Sequence, residues 1–186
     1  TGVCTHSPLA RVRRYPAVRI TERDNLSIRF SMDKAHANPI VTLDTKSNDT
    51  CVWITADARR EGFDLISRAA DLTLNSKRAY EFGGVVFPMV DYSQEVDISW
   101  LFGLRTRSDD GTPWHVSQAL QQNKLRMNEK GARAQSAAAV AITRGMHIEK
   151  PDLVIDEPFL VWFTRAGCRL PLFAAWIATD SWKEPA

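Results

Sequence analysis

No apolar run in this sequence approaches the ~18 residues that a membrane-spanning helix needs, so nothing in it calls for a bilayer as partner. Cysteine is scarce: Cys4, Cys51 and Cys168 are the three in 186 residues. Their odd number and wide spacing argue against a disulfide framework, while a single bridge stays open. An excess of one charge is missing too. The net charge is +2, too small to demand nucleic acid or a membrane surface. There is no phosphate-cradling Gly-rich loop and no Gly-x-Ser-x-Gly elbow. Of the histidines His6, His36, His115 and His147, none stands four residues from a second ligand, and no cysteine lies at metal spacing from any of them. The carboxylates are scattered, and no acid/base pair can be chosen from them. Cys168 follows Gly167 in a turn between two apolar runs, where a thiol reads as a turn or small buried residue rather than a nucleophile. The expectation is a protein without a catalytic centre, a metal or a cofactor.

What is present is an ordinary globular composition. Hydrophobic residues make up 44% and charged residues 25%, over a length that supports one sizeable core. Residues 1–186 show no internal repeat, low-complexity tract or linker, so a single domain is expected. Arg11, Arg13, Arg14 and Arg19 form a local basic patch that reads as a solvated strand face, with a polyanion role as the alternative. Asn48-Asp49-Thr50 is a glycosylation sequon, relevant only in a eukaryotic secretory route. The sequence starts at Thr1 without Met and shows no signal peptide, which reads as a trimmed or cut chain. Secreted and cytoplasmic locations both stay open.

Strand signals dominate the first third. Val12, Tyr15, Val18 and Ile20 lead to the polar turn Glu22-Arg23-Asp24-Asn25, and residues 26–32 alternate strictly, apolar against polar. Ala37-Asn38-Pro39 is a turn, residues 40–43 a strand, 46–49 a turn and 51–54 a strand, together a meander. A helix follows, capped by Thr55 or Asp57, with Phe63, Ile66, Ala69 and Ala70 at helical spacing and Leu72 or Leu74 extending the face. Tyr80 to Val90 reads as a strand pair broken at Gly83-Gly84. Val96 to Leu104 reads as a short helix stopped by Gly103, and Arg105 to Pro113 as a polar loop. Val116 to Met127 is extended or helical. Residues 159–163 and 170–177 are continuous apolar runs around Arg165-Ala166-Gly167, which predicts a hairpin buried on both faces at the centre of the core.

Residues 128–145 are ambivalent. Alanine favours helix, whereas Val140, Ile142 and Thr143 are β-branched and favour strand. A strand would put Ala132, Ala134, Ser136 and Ala138 on one uniformly small face and leave Arg133 and Gln135 wet. A helix would gather Ala134, Ala137, Ala138 and Ala141 instead. Spacing alone leaves loop, strand and helix open.

Asn128-Glu129-Lys130-Gly131-Ala132-Arg133-Ala134-Gln135-Ser136-Ala137 resembles the hinge of the serpins, which reads Asn-Glu-x-Gly-Thr-x-Ala-Ala-Ala-Ala in typical members. Glu157-Pro158-Phe159 with residues 160–163 is similar to that family's penultimate strand, and Leu172-Phe173-Ala174-Ala175-Trp176-Ile177 to its last. Val86-Phe87-Pro88-Met89, followed by residues 97–104, is similar to its Leu-Pro-x-Phe strand and subsequent Leu-x-x-Leu-Gly helix. Val116-Ser117-Gln118-Ala119 resembles the segment leading to the strand before the hinge, and Trp182-Lys183-Glu184-Pro185 the ending of bacterial, especially actinobacterial, members. The resemblance runs in order from about residue 80 to 178. The family's N-terminal signature is absent, and a complete serpin is about twice as long. Ala132 stands where the family has Thr, and Gln135 where it has a small residue.

The resemblance implies an α+β fold of mainly antiparallel β-sheets with a few short helices, the C-terminal half of the serpin fold. It implies a protein related to serine protease inhibitors rather than an enzyme. Its hinge would comprise Glu129, Gly131, Ala132, Ala134, Ser136, Ala137 and Ala138. Its exposed bait loop would reach to about residue 150, with Thr143, Arg144, Gly145 and Met146 as reactive-centre candidates. In the family a protease cuts the loop, and the hinge then enters sheet A as a new strand. The implied partners are a serine protease, trypsin-like if Arg144 is the bait residue, and a polypeptide supplying the missing half. Inhibition by this chain alone is not expected. A non-inhibitory binding or structural module on the same fold is the alternative.

Overall fold

The computed structural model describes residues 15–21, 28–35, 37–45, 49–128 and 150–185. The chain builds two packed sheets, a helix on the outer face of the larger one, and a ribbon that runs on from the smaller. Four strands of the large sheet come early: β2 (Ile28–Met32), β3 (Pro39–Asp44), β4 (Thr50–Ala56) and, beyond the helix, β5 (Lys77–Ala79). The last strands of the chain complete it, β12 (Phe159–Arg165) and β13 (Phe173–Ile177), in the order β13-β12-β4-β3-β2-β5. All its pairings are antiparallel. The expected meander is therefore β2-β3-β4. β1 (Ala17–Thr21) leaves it for a three-stranded sheet, β1-β6-β11, with β6 (Gly84–Pro88) and β11 (Asp152–Val154).

Side-chain alternation explains the layering. Ile28, Phe30, Val41, Leu43, Ile54, Phe159 and Val161 face the smaller sheet and meet Val18, Ile20, Val85, Phe87, Leu153 and Ile155 in one core. Ile40, Leu160 and Trp162 face the other way and receive Leu65, Ala69 and Leu72 of α1 (Gly62–Asn75). Residues 159–162 are buried throughout because their strand is covered on both faces, as its unbroken apolar run predicts. β13 corrects the rest of that expectation. It is the edge strand, and Leu170 and Leu172 before it are exposed.

The indoles of this layer all find acceptors, the usual condition for burying Trp. Trp162 Nε1 donates to Thr73 Oγ1 at 2.9 Å, Trp53 Nε1 to Thr164 Oγ1 at 2.8 Å, and Trp176 Nε1 to the Asp57 carbonyl at 3.1 Å. Trp53 and Trp162 stack at 5.7 Å. α1 starts later than its expected caps. Thr55 lies in β4 with its hydroxyl on the Pro39 carbonyl, and the Asp57 carboxylate is taken by Arg68. Glu61 stands at the N-cap, but its carboxylate accepts from Arg59 and makes no capping bond to the helix. The buried face is Leu65, Arg68, Ala69 and Leu72, and Phe63 in the first turn is 87% exposed.

β7 (Val90–Val96) continues from β6 after Met89 and pairs antiparallel with β10 (Gln121–Met127) as a separate ribbon. Tyr80 to Val90 is thus no strand pair, since residues 80–83 lie in no strand and β6 and β7 serve different sheets. Between the ribbon strands the chain makes only a 3-10 turn at Ser99–Leu101 in place of the expected helix. There Asp97 Oδ1 accepts from the Ser99 amide, and Gly103 takes φ +80°. The polar stretch after it closes as a hairpin, β8 (Arg105–Arg107) with β9 (Pro113–His115). No helix among the described residues is long and apolar enough to cross a membrane.

Candidate functional site

The hinge residues Glu129, Gly131, Ala132, Ala134, Ser136, Ala137 and Ala138, and the bait-loop residues Thr143, Arg144, Gly145 and Met146, lie outside the described residues. The structure does give the two anchors between which they are strung. The first is β10, which runs straight into residue 128. Its Leu125 is buried opposite Tyr92 and its Met127 packs opposite Val90. Burial pushes the Tyr92 hydroxyl pKa up. On the outer face Arg126 lies 3.5 Å from Asp91, and Lys124 stands opposite Ser93. Among the described residues β10 pairs with β7 alone, so its other edge has no strand partner.

The second anchor is β11, which pairs parallel with β6 at the edge of the small sheet. The Gly83 amide donates to the Pro151 carbonyl at 3.0 Å, and the Ile155 amide to the Val86 carbonyl at 2.8 Å. Arg19 Nε reaches Asp152 Oδ2 at 2.6 Å, so the basic strand face expected around Arg19 has a structural use here. Gly84 is required at this clamp. A Cβ there would press into Asp152 Oδ1 and come within 2.9 Å of the Ile20 carbonyl.

Because Met127 pairs with Val90 and Asp152 with Gly84, the anchors are separated by little more than the length of β6. That is about 20 Å at the usual rise per strand residue. Extended, residues 129–149 span on the order of 70 Å. The connection is several times longer than its closure requires.

Other chemistry-bearing groups are engaged structurally. Cys51 Sγ donates to Asp44 Oδ1 at 3.2 Å and accepts from Arg29 Nη2 at 3.5 Å; burial, then the Asp44 bond, raises its pKa. A thiol held protonated in this way is a poor nucleophile. Cys168 is exposed in the β12–β13 turn. A notch of about 300 Å³ is lined by Asn38, Asp57, Arg59, Glu157 and Trp176. Arg59 sits over the Trp176 ring at 5.7 Å, and Asn38 Nδ2 donates to the Ala56 carbonyl, so the notch presents no nucleophile with a base. Among the described residues no group of three or more His, Cys, Asp or Glu gathers at metal-holding distance.

One cluster had no counterpart in the sequence reading. Arg68, 9% exposed, points inward from α1 and bonds Asp57 Oδ2 through Nε and Asp33 Oδ2 through Nη2, each at 2.7 Å. Desolvation pulls its pKa down, but the bonds to Asp57 and Asp33 outweigh it and hold the guanidinium above its ordinary value. It ties the helix to the β2–β3 turn and to the end of β4, a structural task.

No family model matches the chain. Solved structures do. Native protease nexin-1, crystallised with heparin, matches with a TM-score of 0.55 at 14% identity, over 90% of this chain and 48% of that one. Serpin48, titled a highly specific serpin of the insect Tenebrio molitor, matches with a TM-score of 0.52 at 15% identity, over 89% of this chain and 46% of that one. At such identities the likeness is one of fold. The chain is α+β, mostly antiparallel sheets with one α-helix among the described residues, and its structural neighbours are serpins. It spans about half the length of the solved structures it matches.

Proposed function

We propose that this chain is a serpin-like protein related to serine protease inhibitors, with its hinge at residues 129–138 and its bait bond within residues 143–146. The observation that carries the reading is the position of the hinge sequence. It follows directly on β10, a strand whose last inward side chains, Leu125 and Met127, are apolar and whose other edge has no strand partner among the described residues. A strand entering beside β10 must run back antiparallel to it and lay a small face over the core, and Ala132, Ala134, Ser136 and Ala138 supply one. The excess length between the anchors leaves the remainder free to be presented. Arg144 then makes a trypsin-like enzyme the partner, since a carboxylate-floored pocket pairs with Arg. The ending Trp182-Lys183-Glu184-Pro185 supports a bacterial, actinobacterial source.

The same geometry argues against inhibition by residues 1–186 alone. Among the described residues no strand lies beyond β10. An entering hinge would therefore form one ladder of backbone bonds where a central strand forms two, and would gain too little to hold a protease in a distorted state. Limited trypsin digestion tests the reading. A cut confined to residues 140–150, followed by a rise in Tm as the freed hinge pairs with β10, is expected. No cut there, or a cut that lowers Tm, favours a non-inhibitory binding or structural module. The exposed apolar side chains of residues 98–120 speak for that second reading.

A further inference from the structure

α1 buries Leu65, Arg68, Ala69 and Leu72 against the large sheet. The helical repeat sets Phe63, Ser67, Ala70 and Leu74 in one stripe on the opposite side. That is where a surface helix ordinarily carries charge, yet this stripe carries none. Its two ends stand in solvent, Phe63 87% and Leu74 77% exposed, and Ser67 and Ala70 between them are small. The four positions are symmetric about the point between Arg68 and Ala69. Phe63 mirrors Leu74, and Ser67 mirrors Ala70.

A two-fold interface needs a stripe of this kind, because in it residue i meets residue j and j meets i. Two copies of α1 laid antiparallel bring each Phe63 onto the other copy's Leu74, and the small centres let the helices approach closely. The charges agree. Asp64 is exposed beside the start of the stripe, and Arg78 is exposed just past its end. Ala79 faces the core between the sheets, so its neighbour Arg78 stands on the α1 side. There it stacks over the Tyr80 ring at 5.1 Å and pairs with no carboxylate among the described residues. The antiparallel arrangement sets Asp64 of one copy against Arg78 of the other. The other charges near the helix ends are engaged within the chain: Arg59 on Glu61, Arg60 at 4.0 Å from Asp57, and Asp71 at 3.5 Å from Arg68. We infer that the stripe Phe63, Ser67, Ala70 and Leu74 docks a second copy of this chain, the two helices antiparallel about a two-fold axis at residues 68–69. Two Phe and two Leu make a small interface, of the reversible class below about 1,200 Å². The inference uses no residue of the hinge or bait loop, so it stands or falls independently of the expected trypsin cut.

Sedimentation velocity on the 186-residue chain tests it, with reductant present so that the exposed Cys168 cannot link copies. A monomer is expected at micromolar concentration and a dimer toward millimolar. Phe63→Asp leaves the core intact and puts an acid in the first helical turn, where the helix dipole favours one. It is expected to weaken the dimer about ten-fold or more. D64R and R78D are each expected to weaken it, and the double variant to restore it. Within one copy Phe63 and Leu74 lie about 16 Å apart along the helix axis. An NOE between the Phe63 ring and the Leu74 methyls, in a mixture of labelled and unlabelled chains, therefore arises only across the interface. The inference is overturned if the chain stays monomeric at millimolar concentration, or if Phe63 is found packed by residues of its own chain. It is equally overturned if the dimer survives F63D, lacks that NOE, or is as weak in the double charge variant as in the single ones.

Discussion

At the scale of single residues, the most consequential contact is the Arg68 fork between Asp33 and Asp57. All three side chains are less than a tenth exposed, so removing the cation takes a charge-assisted bond from each of two buried carboxylates. Arg68→Ala is expected to cost about 3–5 kcal/mol in urea unfolding, as broken buried ion pairs do. Arg68→Lys, which keeps the charge but not the fork, is expected to cost less. An unchanged midpoint for Arg68→Ala would contradict this. None of it was legible in the sequence, where an Arg on a helix reads as solvent-facing and nothing links it to carboxylates in two distant turns. The polar loop expected over Arg105 to Pro113 is a hairpin that turns at Asp109-Asp110-Gly111, and the turn carries a pH signature. The Ser108 hydroxyl and then the Thr112 amide hold the Asp110 carboxyl down at about 2. A folded pKa below the ordinary Asp value of about 3.9 means the contact contributes fully above that value and is lost as pH falls toward 2. Asp110 is fully exposed, so the effect is local to the hairpin. A carboxyl titration by NMR should place its midpoint near 2, and a midpoint near 4 would refute the contact.

At the scale of elements, period decided what could be read. The alternation of residues 28–32 and the unbroken run of 159–162 report one-sided and two-sided burial directly, and both strands stand where expected. Phase failed where the apolar residues of one helix could be assigned to more than one face. In α1, Ala69 and Leu72 stand inward as expected, and Phe63, in the first turn, does not. Leu72→Ala is therefore expected to cost about 2–5 kcal/mol, the range for a truncated buried leucine. Phe63→Ser should stay within about 0.5 kcal/mol. Thermal unfolding of the pair checks this, and equal losses would mean the helix face is wrong. The helix expected over residues 96–104 failed for another reason. Trp100, Phe102 and Leu104 have the apolar character of a packed face, but among the described residues nothing packs on them, and one 3-10 turn is all that forms.

At the scale of the whole molecule, the fold class followed from local pattern together with the serpin-like motifs, and the solved neighbours agree in fold. Which strands share a sheet was not legible. β1 and β6 meet across more than sixty intervening residues, and β12 returns from the far end of the chain to pair with β4. The hinge and bait bond remain proposals drawn from residues 129–146, supported by the anchors on either side. The most direct test of the account is to mix the 186-residue chain with trypsin in slight excess and run denaturing electrophoresis with mass identification. The expected result is cleavage between Arg144 and Gly145 with both proteins otherwise free. A band that survives denaturation and contains both the chain and the protease would contradict it.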